Sequence, residues 1–187
     1  LESVDASVSA QANLQALQTW RQSRQLLGDV PRSAFFGASA HTLAGPTGES
    51  NVYEVLPRRA VLCVAAKQDD LIAQFAAVLA VGSHAVWDGN STMATDLHRA
   101  LPDALRSHIT LSSDGLAEDI DAALHHGDQA SLRALLAKLA AREGMIVSVT
   151  ALPEGDHAIP LERLVIERAV STNTAAAGGN ASLMTMA

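Results

Sequence analysis

The chain has 187 residues, 48% of them hydrophobic, and its 13 Lys and Arg against 20 Asp and Glu give a formal net charge of −7. That is apolar material enough for one buried core, which excludes disorder throughout, and no Lys/Arg block offers a surface to nucleic acid or an anionic membrane. The one cysteine, Cys63, excludes an internal disulfide and a cysteine-built zinc cluster, and it suits a reducing, cytoplasmic compartment.

No stretch approaches the roughly 20 apolar residues of a membrane span, and no basic-then-apolar leader opens the chain. Its first residue is Leu1, which suggests a segment of something longer. Ala10, Leu14, Leu17 and Trp20 recur at helical steps and predict a helix over 3–27, ended by Gly28 and Pro31. From Val30 to Ser50 the composition turns to Gly, Pro, Ser, Thr and Ala, and "AGPTGESN" reads as turns in a connector.

From Pro57 short apolar runs alternate with amphipathic stretches. "AVLCVA" (60–65) predicts a buried strand. The helix after it carries Leu71, Ile72, Phe75, Val78, Leu79 and Gly82 on one face, with Asp69 and Asp70 near its dipole-positive start. "HAVW" (84–87) predicts a second strand, and 92–106 a helical region broken or restarted at Pro102. "HITL" (108–111) and "AALH" (122–125) are further strand candidates. Asp128 caps a helix with Leu132, Leu135, Leu136 and Leu139 on one side, Gly144 stops it, and "MIVSV" (145–149) predicts a fifth strand. Residues 161–171 fit a helix or a strand. Strands apolar on both faces and separated by helices imply a parallel, Rossmann-like sheet over about 58–150.

A Rossmann-like sheet invites a nucleotide, and the first strand-to-helix turn tests it. It reads "VAAKQDD" (64–70), without glycine and with two carboxylates where a pyrophosphate would sit. Cys63, inside an apolar run, reads as a buried structural thiol. His125 and His126 are adjacent, so on a strand they face opposite ways and cannot jointly hold a metal; His84, His98 and His108 read as polar residues at element ends. No acid/base pair, nucleophile or ligand cluster emerges, so we expect no catalytic, cofactor-binding or metal residues here.

The end of the chain is the exception to ordinary composition. Residues 171–187, "STNTAAAGGNASLMTMA", carry no charged side chain, and a terminus of this kind is built for burial. Two stretches, "GPTGESNVYEVLPRRAVLCVA" (45–65) and "LERLVIERAVSTNTAAAGGNASLM" (161–184), resemble the C-terminal region of the proline utilization A family, bifunctional bacterial flavoenzymes that oxidise proline to glutamate. "AAVLAVGSHAVW" (76–87) and "HGDQASLRALLAKLAAREGMIVSV" (126–149) resemble it too, whereas 88–120 do so loosely.

The resemblance implies an α/β fold: a Rossmann-like core of about five mostly parallel strands with flanking helices, an N-terminal helix, a small two-stranded flap and an extended C-terminal tail. Its divisions would be an N-terminal helix at 1–28, a connector and first flap strand at 29–57, the core at 58–150, the second flap strand region at 151–170 and a lid motif at 171–187. The flap would use residues near 51–56 and 162–171, and the closing motif Glu167 to Met186. The implied function is a non-catalytic accessory domain that seals the substrate-channelling cavity and supports the catalytic aldehyde dehydrogenase module of the same polypeptide.

The lid candidates are Asn173, Thr174, Gly178, Gly179, Asn180, Leu183, Met184 and Met186. Glycines allow close approach, Asn and Thr satisfy backbone groups that otherwise cost about 1–3 kcal/mol each when buried, and thioethers fill gaps. A tail that pairs only with its own domain is the alternative use. FAD and NAD are implied for the parent enzyme and neither for this segment. The parent would be cytoplasmic or peripheral at the inner membrane, with a homo-oligomer left open as a partner. A vestigial dehydrogenase-like domain that retains nucleotide or metabolite binding, and an oligomerisation module, stand as the other readings.

Overall fold

The computed structural model describes residues 2–24, 31 and 39–174. In chain order the elements are α1 (Glu2–Ser23), β1 (Ser39–Leu43), β2 (Glu49–Pro57), β3 (Ala60–Ala65), α2 (Gln68–Val81), β4 (His84–Asp88), α3 (Thr92–Ala100), α4 (Asp103–Arg106), β5 (Ile109–Ser112), β6 (Ala122–His126), α5 (Gln129–Ala140), β7 (Ser148–Leu152), a 3-10 turn (Leu161–Leu164) and β8 (Val165–Asn173). They form a five-stranded sheet of order β5-β4-β3-β6-β7, parallel throughout, and a three-stranded antiparallel sheet of order β1-β2-β8. The α/β Rossmann-like expectation holds.

Strand alternation divides the core in two. Val61, Cys63, Ala85, Trp87, Ala122 and Leu124 face α1, α2 and α3, while Leu62, Val86 and Ala123 face Leu135 of α5. α2 is buried from Asp70 to Val81, because the sheet lies on one side of it and α1 on the other. Phe75 meets Trp87 edge to face at 5.4 Å. Gly82, at φ 77°, ends α2: its N–H bonds back to Leu79 O, and Ser83 N bonds to Val78 O at 3.0 Å, which satisfies the last carbonyls. Pro102 separates α3 from α4, since the residue before a proline is driven out of the helical region.

Several expectations move. α1 ends at Ser23, short of 27, where Arg24 N bonds to Arg21 O in a turn; Gly28 lies outside the described residues. The flap pair is β2 and β8, and the connector adds a third strand, β1, to it. Residues 161–171 divide between both readings, a 3-10 turn followed by strand.

The fifth strand is a correction. It spans Ser148–Leu152, not 145–149, with Ser148 opposite Ala122. Gly144, at φ 100°, turns the chain after α5, and Met145 and Ile146 point to solvent before Val147 re-enters the core. An edge strand is half exposed, so the most apolar local run need not be the strand.

Candidate functional site

In open α/β sheets ligands settle at the carboxyl ends of the strands where the order reverses, here between β3 and β6. This chain lays its own segment there. Asp70, in the first turn of α2, is 1% exposed. Its Oδ1 accepts hydrogen bonds from Gly155 N and from His157 Nε2, each at 2.9 Å. Lys67 Nζ lies 2.7 Å from Glu154 Oε2. Nε2 of His126, on β6, donates to Asp156 O at 2.7 Å, while its Nδ1 accepts from Gln74 Nε2 at 2.8 Å; the same Gln74 amide reaches Val64 O at 2.9 Å. Residues 154–157 are therefore tied to Lys67, to α2 and to β6 together.

The consequence is electrostatic as well as steric. The positive end of α2 is met by a carboxylate of its own, and a phosphate placed there would face Asp70, and Glu154 paired with Lys67.

Beside this segment lie two connected depressions. One, of about 370 Å³, is bordered by Val64, Ala65, His125, His126, Asp128 and Glu154. The other, of about 530 Å³, runs over the ends of β3 and β4 to α5, with Leu62, Met93, Leu116 and Leu135 as apolar walls and Asp88, Asp114 and Lys138 among its polar residues. Ser131 borders both. Its hydroxyl donates to Asp128 O at 2.9 Å and stands 3.0 Å from His125 Nε2, so the hydroxyl proton is engaged by the helix cap.

His125 and His126 do take opposite faces, one toward α5 and one toward α2. His84 bonds Thr110 Oγ1, and His108 bonds Asn13 Nδ2, both at 2.9 Å. Burial pushes the pKa of His84, His108 and His125 down, helped at His84 by His108 and at His125 by His126, which keeps these rings neutral near pH 7. Burial also pushes the Cys63 thiol up to about 12. Among the described residues no three His, Cys, Asp or Glu side chains converge as metal ligands, and no helix is long and apolar enough to cross a membrane.

The antiparallel flap occupies the opposite edge of the parallel sheet. Its two legs join at the root, where Arg58 N bonds to Leu164 O at 2.9 Å. Tyr53 pairs with Ala169 and Glu54 with Arg168, whose Nε reaches Glu54 Oε2 at 2.7 Å. β8 is paired on one side only and exposed beyond Val165. Of the lid candidates, Asn173 closes β8 opposite Glu49, and Thr174 follows with its N–H on Gly48 O at 2.7 Å. Gly178, Gly179, Asn180, Leu183, Met184 and Met186 lie outside the described residues.

Comparison with known proteins proceeds from class to family. The fold is similar to that of part of indole-3-acetaldehyde dehydrogenase in its apo form, with a TM-score of 0.55 at 12% identity, over 79% of this chain and 44% of that one. A mutant PutA of Bradyrhizobium japonicum gives 0.54 at 21% identity, over 78% of this chain and 20% of that one. The sequence relationship is to PutA: nearly the whole chain is similar to one segment of that protein. It is 45% identical to the bifunctional protein PutA of Escherichia coli K12 over 190 aligned positions, which cover 98% of this chain and 14% of that protein. No protein-family model matches the chain.

Sequence reasoning missed the Asp70–His157 pair, because nothing in either local pattern announces a partner so far along the chain. It also missed β1, which carries few β-branched or aromatic residues.

Proposed function

We propose that the chain is a non-catalytic accessory domain of a bifunctional proline-catabolic enzyme that converts proline to glutamate, and that it seals the substrate-channelling cavity and supports the aldehyde dehydrogenase module. The observation that carries this reading is the contrast between the two edges of the sheet. At the edge where a dehydrogenase of this fold would take its dinucleotide, residues 154–157 cover the α2 side through Asp70 and His126, while the flap at the other edge presents an exposed β8. A free-standing three-stranded sheet of this kind is marginal without a cover. The cover on this reading is the catalytic module, with residues 175–187 continuing from the flap to close the cavity.

Channelling requires a wall that keeps a reactive aldehyde and its cyclic imine from water. The parent's FAD and NAD belong to its catalytic modules and none to this segment. The test is deletion of 175–187 from the full-length enzyme, followed by coupled proline-to-NADH kinetics. We expect a lag and release of the intermediate to a trapping reagent; an unchanged coupled rate with nothing trapped overturns the lid.

A second reading rests on the depression of about 530 Å³ over β3 and β4, a place where a vestigial dehydrogenase would retain a metabolite or nucleotide. Calorimetric titration with NAD separates the two. Saturable heat at micromolar concentration from this segment, in an enzyme whose catalytic dinucleotide site has been disabled, supports the second; its absence supports the first.

A further inference from the structure

Met145 and Ile146 are 66% and 97% exposed, the two highest values among the large hydrophobic residues described. They are displayed rather than loose. On one side Arg142 is pinned to the loop before β6, its Nε donating to Leu116 O and its Nη2 to Glu118 O, both at 2.7 Å. On the other side Val147 is buried against Leu62, Val86 and Ile120, and β7 begins immediately after it in register with β6. Between these anchors Gly144, at φ 100° with open space around it, turns the chain outward. Backbone fixed on both sides of an apolar pair loses little freedom when the pair binds, which favours its use as an anchor.

The position supplies the partner. Ser148 stands level with Ala122 and Val61, so Met145 and Ile146 sit at the amino edge of the parallel sheet, two strands from β3. By the spacing of neighbouring strands that is roughly 10 Å across the sheet. The flap root, Pro57 to Ala60 and Leu164 to Val165, occupies the same edge. The Escherichia coli relative is matched over only 14% of its length, and on the accessory-domain reading the catalytic module lies in the remainder of such a polypeptide.

We propose that Met145 and Ile146 form a second docking element, a two-residue apolar knob that seats in an apolar hollow on the module of the same polypeptide that receives the flap. It rests on the accessory-domain reading above. The flap supplies a strand edge and the knob a buried anchor, so that together they fix the tilt of this domain as well as its attachment.

The test uses the full-length polypeptide with a photo-crosslinking benzoylphenylalanine at position 146, and in a separate variant at Val170 of the flap. Both side chains are exposed in this chain, so neither substitution disturbs its core, and circular dichroism of each variant checks the fold. The expected result is a cross-link from position 146, at unchanged single-chain mass, to apolar residues outside 1–187, in at least tenfold excess over a variant carrying the photo-residue at the exposed Glu143. Three results overturn the knob: yield no greater than at Glu143, linkage only within 1–187, or linkage only between two copies at doubled mass. Failure at 146 with success at Val170 removes the knob and leaves the accessory reading; failure at both removes both.

Discussion

Asp70 and His157 hold the filled crevice together: a carboxylate in the first turn of α2 accepts the Nε2 proton of a histidine that follows β7, at 2.9 Å. The same oxygen takes the Gly155 N–H. Asp70→Ala leaves two donors without their acceptor in a largely dry place, and an unsatisfied buried donor costs about 1–3 kcal/mol. We expect Asp70→Ala to lower unfolding stability by about 2–4 kcal/mol and Asp70→Asn by about half of that, measured by urea titration of the full-length protein monitored with a probe in this domain.

Acidification should weaken this domain. His84, His108 and His125 have folded-state pKa values pushed below the ordinary 6.5, mainly by burial. Above that value neither state holds the proton, and the histidines contribute no pH dependence. Below it the unfolded chain binds protons that the folded chain refuses, so stability falls with pH until the folded values are reached. Denaturation at pH 7.5 and 5.5 should show the loss, and His108→Gln, which keeps a hydrogen-bonding partner for Asn13, should reduce it. Equal midpoints at the two pH values would contradict the account.

Cys63 should be inert while the fold stands. With its thiol at about 12, essentially no thiolate exists at pH 8. Iodoacetamide is expected to leave this residue unmodified in native protein and to alkylate it fully in denaturant, as read by peptide mass spectrometry.

Gly82 tests the end of α2. Its φ of 77° suits glycine, and an added Cβ would meet only Ala10 Cβ at an ordinary 3.9 Å. The cost of Gly82→Ala is thus conformational and comes to about 1 kcal/mol. A cost of several kcal/mol in thermal or urea unfolding would mean that packing was also disturbed.

Local rules made the parallel layer legible. The 3.6-residue spacing of Leu71, Phe75, Val78 and Leu79, the glycine at 82 and the proline at 102 each state a backbone preference that the tertiary structure uses without overriding. β7 shows where that stops. Met145 and Ile146 are more apolar than Thr150 or Ala151, yet the strand takes the latter, because register with β6 and the turn at Gly144 decide the pairing. β1 is hidden for a related reason: Ala40 to Leu43 are exposed, so no hydrophobic pattern marks the strand, and its place is dictated by backbone pairing to β2. The filled crevice was half legible, since the absent glycines and the paired aspartates at 69 and 70 argue against a phosphate, but a single aspartate says nothing of a distant histidine.

The union of β2 with β8 also sets a timetable. Synthesis proceeds from the amino end, and every strand of the parallel layer is complete by Leu152, whereas β2 must wait for Val165 to Asn173 before its second neighbour exists. The nascent chain therefore carries β1 and β2 as a pair before the third strand of the flap exists. A chain that ended before β8 would leave β2 with one neighbour and would lack Leu164 and Val165, which belong to the core.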